Sequence, residues 1–179
     1  PTRFARLARA ILPVAKAVTL VCFALGLYWG LVTSPADYQQ GDTVRIMYIH
    51  VPVAWLASSS YFILALCALF FLVWRHPLAD IGARAVAPVG AMFAALTLIT
   101  GALWGKPTWG TYWVWDARLT SMLVLFFFFI GYMALAGGFE NRRRGATPAA
   151  ILALVGAINL PIVKFSVDWW NTLHQPASL

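Results

Sequence analysis

The residues best suited to chemistry are two histidines, each set among aromatic side chains. His50 lies in the stretch Tyr-Ile-His-Val-Pro, and His174 ends the stretch Trp-Trp-Asn-Thr-Leu-His. Two neutral imidazoles can bind a metal from opposite sides, and histidine is a common axial ligand of heme iron. Two histidines are too few for zinc, which takes three or four protein ligands. Either histidine alone is more often a structural or interfacial residue than a metal ligand.

A tryptophan-rich segment, residues 104–120, is the second candidate. It holds four of the nine tryptophans, one of them Trp115. An aromatic belt at the membrane interface explains one or two tryptophans at a helix end. A binding platform also explains the glycines, which let a flat ligand approach the backbone closely. If the segment is helical, Trp109, Trp113 and Asp116 share one face. Composition leaves belt and platform open.

Polar and charged residues near these motifs also have structural interpretations. Asp116 precedes the fourth apolar run, where aspartate is a favoured helix N-cap. Arg118 is either an interfacial anchor or a partner for ligand carboxylates. Lys164 and Asp168 are four residues apart, which predicts a local ion pair on a helix. Asn159 and the nearby Pro161 predict a kink or an interhelical hydrogen bond.

Membrane-spanning helices must hold these candidates. The 179 residues are 61% hydrophobic and 11% charged, whereas soluble domains carry roughly 25% charged residues. A hydrocarbon core of about 30 Å needs about 20 apolar residues per helix. Five runs reach this length, at residues 13–32, 50–74, 85–103, 119–136 and 149–165. The sequence therefore predicts an all-α, polytopic transmembrane helical bundle that forms one integral membrane domain over residues 1–179.

The thirteen lysines and arginines predict the orientation of these spans. Nine lie at the N-terminal end and in the second and fourth connections, whereas Arg45, Lys106, Arg118 and Lys164 lie on the opposite side. Because basic residues favour the cytoplasmic side, we expect a cytoplasmic N-terminus. Segments 34–49, 104–118 and 166–179 then face outward, which is the periplasm in a Gram-negative bacterium. The tail after the fifth span reads like a loop, so we expect a further helix beyond it.

Several functional classes do not match this sequence. The basic residues lie at the ends of apolar runs rather than in a groove-like stretch, which argues against nucleic-acid binding. The motifs of P-loop ATPases, dinucleotide-binding enzymes, zinc proteases and serine hydrolases are absent. We therefore expect neither an enzyme nor the ATPase of a transporter. Cys22 and Cys67 form no Cys-x-x-Cys-His motif, so a heme here would be held without thioether bonds.

Three motifs carry a family resemblance. The residues from Trp109 to Thr120 resemble the tryptophan-rich signature of the heme-handling proteins of cytochrome c biogenesis. Their ending, Asp-Ala-Arg-Leu-Thr, is more similar to the heme exporter protein C family (cytochrome c maturation protein C) than to the larger synthetase-type relatives. The stretches around His50 and His174 resemble the two outward histidine motifs of that family. The resemblance covers essentially the whole chain in order and spacing.

This resemblance implies a function and a set of partners. A family member binds heme b non-covalently at the periplasmic face of the bacterial inner membrane. It delivers the heme to a periplasmic heme chaperone for cytochrome c maturation. Its other partners are the ATPase and membrane subunits of an ABC transporter and a small single-span maturation protein. The family has six transmembrane helices, of which five are visible here.

The resemblance also assigns roles to residues. His50 and His174 match the family's two axial ligands of heme iron. The signature side chains that match are Trp109, Trp113, Trp115 and Asp116. Charge and predicted side alone suggest Arg45, Arg118 or Lys106 as partners of the heme propionates.

Two rival functions differ in what they need from the sequence. A subunit that transports a small solute needs polar groups inside the spans, and these offer little beyond Asn159, Lys164 and scattered Ser and Thr. A structural scaffold of an ABC transporter complex needs no outward histidines at all.

Overall fold

The computed structural model describes residues 2–170, without the side chains of Thr2 and Arg142. His174 and the rest of segment 171–179 lie outside the described residues. Six α-helices follow one another: α1 (Thr2–Tyr28), α2 (Val44–Trp74), α3 (Pro77–Trp109), α4 (Ala117–Gly137), α5 (Arg142–Ala157) and α6 (Asn159–Trp169). Residues 2–170 contain no β-strand. The predicted all-α class is confirmed.

Five segments are long and apolar enough to cross a membrane, as predicted. They are Arg3–Thr33, Val44–Trp74, Pro77–Trp109, Ala117–Gly137 and Arg143–Trp169. Each contains one of the predicted runs and extends beyond it. The extensions arise because helices continue through polar and charged residues that a hydropathy pattern leaves out. The fifth segment consists of α5 and α6.

Contacts group the chain into two compact units, Pro1–Tyr48 and Ile49–Leu179. The first unit contains α1, the π-helical turn Trp29–Thr33 that extends it, and the start of α2. Within this unit Gly30 allows a close approach, because a Cβ there would lie 3.1 Å from the Cβ of Tyr48. The prediction of one integral membrane domain stays a prediction.

Small residues bring the helices of the second unit close together. α3 presents Ala83, Ala87, Ala91 and Ala94 to the core at helical spacing. At Gly90 a Cβ would overlap the ring of Phe129 and lie 2.9 Å from the Cβ of Ser60. Such small-residue stripes let helices pack tightly where lipid supplies no hydrophobic driving force. The Phe129 ring of α4 therefore packs directly against the backbone of α3 at Gly90.

The break between α5 and α6 follows from two residues. Pro161 lacks the amide hydrogen that would bond to the carbonyl of Ala157, which weakens the helix at this point. Asn159 is buried, and its Nδ2 donates to the carbonyl oxygen of Ser121 on α4 at 2.8 Å. Both the predicted helix interruption and the predicted interhelical hydrogen bond are present.

Candidate functional site

The imidazole of His50 is half-buried against α3. Its Nδ1 lies 3.0 Å from the hydroxyl oxygen of Thr100. A Cβ at Gly101 would lie only 3.0 Å from its Cε1. Thr100 and Gly101 lie on α3 four and three residues before Trp104, the first residue of the tryptophan-rich segment. His50 and that segment therefore lie at the same end of the second unit, which we call the tryptophan-rich end.

The tryptophan-rich segment is helical only up to Trp109. Gly110 ends α3 in the left-handed conformation, with φ 80°, and residues 110–116 are bends and extended chain. A shared helix face for Trp109, Trp113 and Asp116 is therefore wrong. A left-handed residue stops the helix, and glycine adopts that conformation without steric cost.

The indoles of this segment form two edge-to-face pairs instead. Trp104 is buried, and its ring centroid lies 5.2 Å from that of Trp109 at an interplanar angle of 83°. Trp113 and Trp115 form the second pair, with centroids 5.4 Å apart at 78°. Such geometry matches the ring quadrupoles and rigidifies both pairs. Both members of the first pair lie on α3, whereas the second pair lies in the extended chain that follows it.

The second pair combines an open ring with a buried donor. Trp115 is 78% exposed. The Nε1 of Trp113 is buried and has no hydrogen-bond partner in the part of the chain that the structure describes. A buried indole N–H without a partner costs free energy and commonly indicates a missing water or ligand. The exposed face of Trp115 is therefore the part of this pair that a flat ligand could contact.

Asp116 caps α4, as its position predicted. Its Oδ1 accepts a hydrogen bond from the backbone N–H of Leu119 at 2.8 Å. The cap fixes where the extended chain of Trp115 turns into the helix. A structural role is therefore confirmed for this carboxylate, and a role toward a ligand stays a prediction.

Replacing Asp116 with alanine is expected to lower the free energy of unfolding by about 1 kcal/mol, the usual effect of losing an N-cap. Asp116→Asn keeps a side-chain oxygen that can accept from Leu119, so its stability should stay near that of the parent. Thermal unfolding in detergent measures both. A parent-like melting temperature for Asp116→Ala would show that the cap contributes nothing.

Arg118, at the start of α4, is near enough to Asp168, close to the end of α6, for their charges to interact. Its half-buried guanidinium interacts electrostatically with the carboxylates of Asp116 and Asp168. α6 ends at Trp169, five residues before His174. The C-terminal end of α6 therefore lies at the tryptophan-rich end.

Lys164 does not pair with Asp168, so that prediction is wrong. Its Nζ lies 5.3 Å from the centroid of the Trp55 ring on α2, a geometry typical of a cation–π contact. On α2, His50 lies five residues before Trp55. On α6, Trp169 lies five residues after Lys164. Both distances correspond to about 7.5 Å of helix. The end of α6 is thus at the level of His50.

Two further basic residues are already engaged. Lys106 donates from Nζ to the carbonyl of Gly110 at 3.0 Å, which supports the end of α3. In the first unit, Arg45 pairs with Asp42 at 3.3 Å and donates to the carbonyl of Ser34. The Nε of Arg45 is buried without a hydrogen-bond partner in the described part of that unit. Their role toward propionates stays a prediction.

A conventional metal site is not formed by residues 2–170. In this part of the chain no three His, Cys, Asp or Glu side chains cluster as a metal site requires. The imidazole of His50, at the same end as the indoles, could supply one axial nitrogen to a ligand that brings most of its own metal coordination. Heme has that property, because its four pyrrole nitrogens leave only axial positions for protein.

Comparison with known proteins identifies the family. The sequence profile of heme exporter protein C matches residues 1–179. The chain belongs to the heme exporter protein C family. The family member "Heme exporter protein C" of Bradyrhizobium diazoefficiens is 58% identical over 179 residues, which cover all of this chain and 68% of the relative. That of Escherichia coli K12 is 46% identical over 175 residues, or 98% of this chain and 71% of the relative.

Two residues at the site could not be found from the sequence. Thr100 and Gly101 lie inside an apolar run, where single small residues are ordinary. Only the fold brings them to His50, which is 50 positions away from Thr100. No local spacing signals this contact.

Proposed function

We propose that this chain binds heme b non-covalently at the tryptophan-rich end and delivers it to a periplasmic heme chaperone for cytochrome c maturation. One observation carries the proposal: a half-buried imidazole, hydrogen-bonded through Nδ1, lies at the same end as the Trp113–Trp115 pair. Membership of the heme exporter protein C family and the names of the relatives agree with it.

In this proposal His50 and His174 supply the two axial nitrogens to the iron. The exposed ring of Trp115 would contact the porphyrin, and the indole of Trp113, which packs against Trp115, would line its edge. Trp109 supports this surface through its contact with Trp104. Arg118 lies at the same end and can pair with a propionate, since its planar fork suits a carboxylate.

The same proposal includes a location in the cell and a set of partners. The chain would be a multi-pass protein of the bacterial inner membrane with a cytoplasmic N-terminus and a periplasmic tryptophan-rich end. The ATPase and membrane subunits of an ABC transporter and a small single-span maturation protein would be its other partners. The protein would catalyse no reaction itself. It would hold heme with a vinyl group accessible to the chaperone's nucleophile.

Replacing both His50 and His174 with alanine tests this proposal. The purified double variant should lose the Soret-absorbing complex that the parent forms when titrated with heme. His76→Asn is the matched control, because His76 caps α3 through its side chain and asparagine keeps a capping oxygen. Heme binding that survives in the double variant would overturn the axial-ligand assignment.

The rival functions are separated by two further measurements. Solute flux into proteoliposomes without heme absorbance would support a transporter subunit. Normal cytochrome c maturation in cells that carry the double histidine variant would support a purely structural scaffold. Our proposal predicts neither result.

A further inference from the structure

The surroundings of the Thr100 hydroxyl favour one direction for its hydrogen bond with His50. The Thr100 hydroxyl lies 2.7 Å from the carbonyl of Leu96, one turn earlier on α3, and 3.3 Å from that of Thr97. A hydroxyl has one proton to donate, and a carbonyl can only accept it. With that proton donated to the carbonyl of Leu96, the hydroxyl oxygen is the acceptor toward His50, and Nδ1 carries the hydrogen.

This direction selects one tautomer of the imidazole. A neutral ring protonated at Nδ1 has its lone pair on Nε2. A metal binds to the nitrogen that has the lone pair, and the hydrogen bond at the other nitrogen sets which one that is. The backbone of α3, acting through Thr100, thus favours metal binding through Nε2 of His50.

Gly101 controls the position of the same ring. The nearest atom to a Cβ built at this glycine is Cε1 of His50, at 3.0 Å. Cε1 lies between the two ring nitrogens, so a methyl group there would push directly on the nitrogen-bearing edge. The missing side chain lets α3 approach the imidazole and leaves Nδ1 within reach of Thr100.

A purely structural role does not require the contact with His50. Thr97, one turn earlier, makes the same type of bond, from its hydroxyl to the carbonyl of Phe93 at 2.8 Å. A threonine in an apolar helix commonly satisfies its hydroxyl in this way. Thr100 does so and additionally accepts from an imidazole on another helix.

We propose that Thr100 and Gly101 are positioning residues that hold His50 in the Nδ1–H tautomer, with Nε2 as the heme-binding nitrogen. The assignment of Nε2 as the heme-binding nitrogen rests on the proposed function. The assignment of the hydrogen to Nδ1 concerns the protein without heme. When a metal-binding histidine loses such a hydrogen-bond partner, metal binding typically weakens by roughly 10- to 100-fold.

The apo protein provides the first test. Nitrogen NMR of histidine-labelled protein distinguishes Nδ1–H from Nε2–H. We expect His50 to be protonated at Nδ1 in the parent and in Thr100→Ser, which keeps the hydroxyl. Thr100→Val, of similar shape without the hydroxyl, should lose this preference, whereas Thr97→Val should not. An Nε2–H tautomer in the parent would overturn the inference.

Heme titration provides the second test. Thr100→Val should weaken binding by roughly 10- to 100-fold, and Thr100→Ser should bind like the parent. Gly101→Ala should shift the Soret band and weaken binding. Its control is Gly131→Ala, where a Cβ would meet Leu152 at the same 3.0 Å, away from His50. Equal affinities for Thr100→Val and Thr97→Val would overturn the positioning role. If His50→Ala itself binds heme like the parent, the proposed function fails, and the NMR result still decides the tautomer.

Discussion

Replacing His50 with alanine is expected to lower heme affinity strongly. The loss should exceed the roughly 10- to 100-fold that follows when a metal-binding histidine loses its hydrogen-bond partner. The change removes an axial nitrogen itself and leaves His174 as the only remaining ligand. The residual complex should therefore be five-coordinate and high-spin. Heme titration followed by visible spectroscopy measures both the affinity and the spin state.

The same variant allows a chemical rescue. Truncation to alanine leaves space for an imidazole beside Thr100 and Gly101, which contact the native ring. Added imidazole should restore the low-spin spectrum of His50→Ala and have little effect on the parent. His76→Asn again serves as the control. A parent-like spectrum of His50→Ala without imidazole would contradict the assignment of His50 as a ligand.

The second large expected effect is a loss of stability when the contact between α3 and α4 is overpacked. Gly90→Ala is expected to lower the free energy of unfolding by about 1–3 kcal/mol, the usual cost of overpacking a core. The added methyl would overlap Phe129, which is fully buried and packs edge-to-face against Tyr61 at 4.8 Å. Neither ring can move without disturbing the other. Thermal or denaturant-induced unfolding in detergent measures the loss.

A second substitution should relieve this overlap. Phe129→Leu removes the ring atoms that a Cβ at Gly90 would meet, so Gly90→Ala should cost less in the Phe129→Leu background than in the parent. Gly26→Ala is the control, because a Cβ there meets nothing within 4 Å. Additive losses in the double variant would contradict the proposed contact.

Features that depend on local sequence were predictable. Five spans follow from run length and apolar composition, and these properties do not depend on tertiary contacts. The Asp116 cap and the break near Asn159 follow from backbone chemistry at single residues. These predictions succeeded because each cause acts within one or two helical turns of its effect.

Features that depend on distant contacts were not predictable. The end of the helix at Trp109 is different, because it depends on the local left-handed conformation of Gly110, which the helical spacing of the tryptophans did not take into account. Lys164 contacts Trp55, more than 100 positions away, rather than its local neighbour Asp168. Thr100 is likewise recognisable only from the fold. The part of the site that sets the geometry of His50 was therefore missed.

Our central claim is that the tryptophan-rich end binds heme through two histidines. Its most direct test is the visible and electron paramagnetic resonance spectrum of the detergent-purified protein saturated with heme. We predict a six-coordinate, low-spin bis-histidine signature that is lost when either His50 or His174 is replaced. A high-spin spectrum of the parent, or a low-spin spectrum that survives both replacements, would contradict the claim.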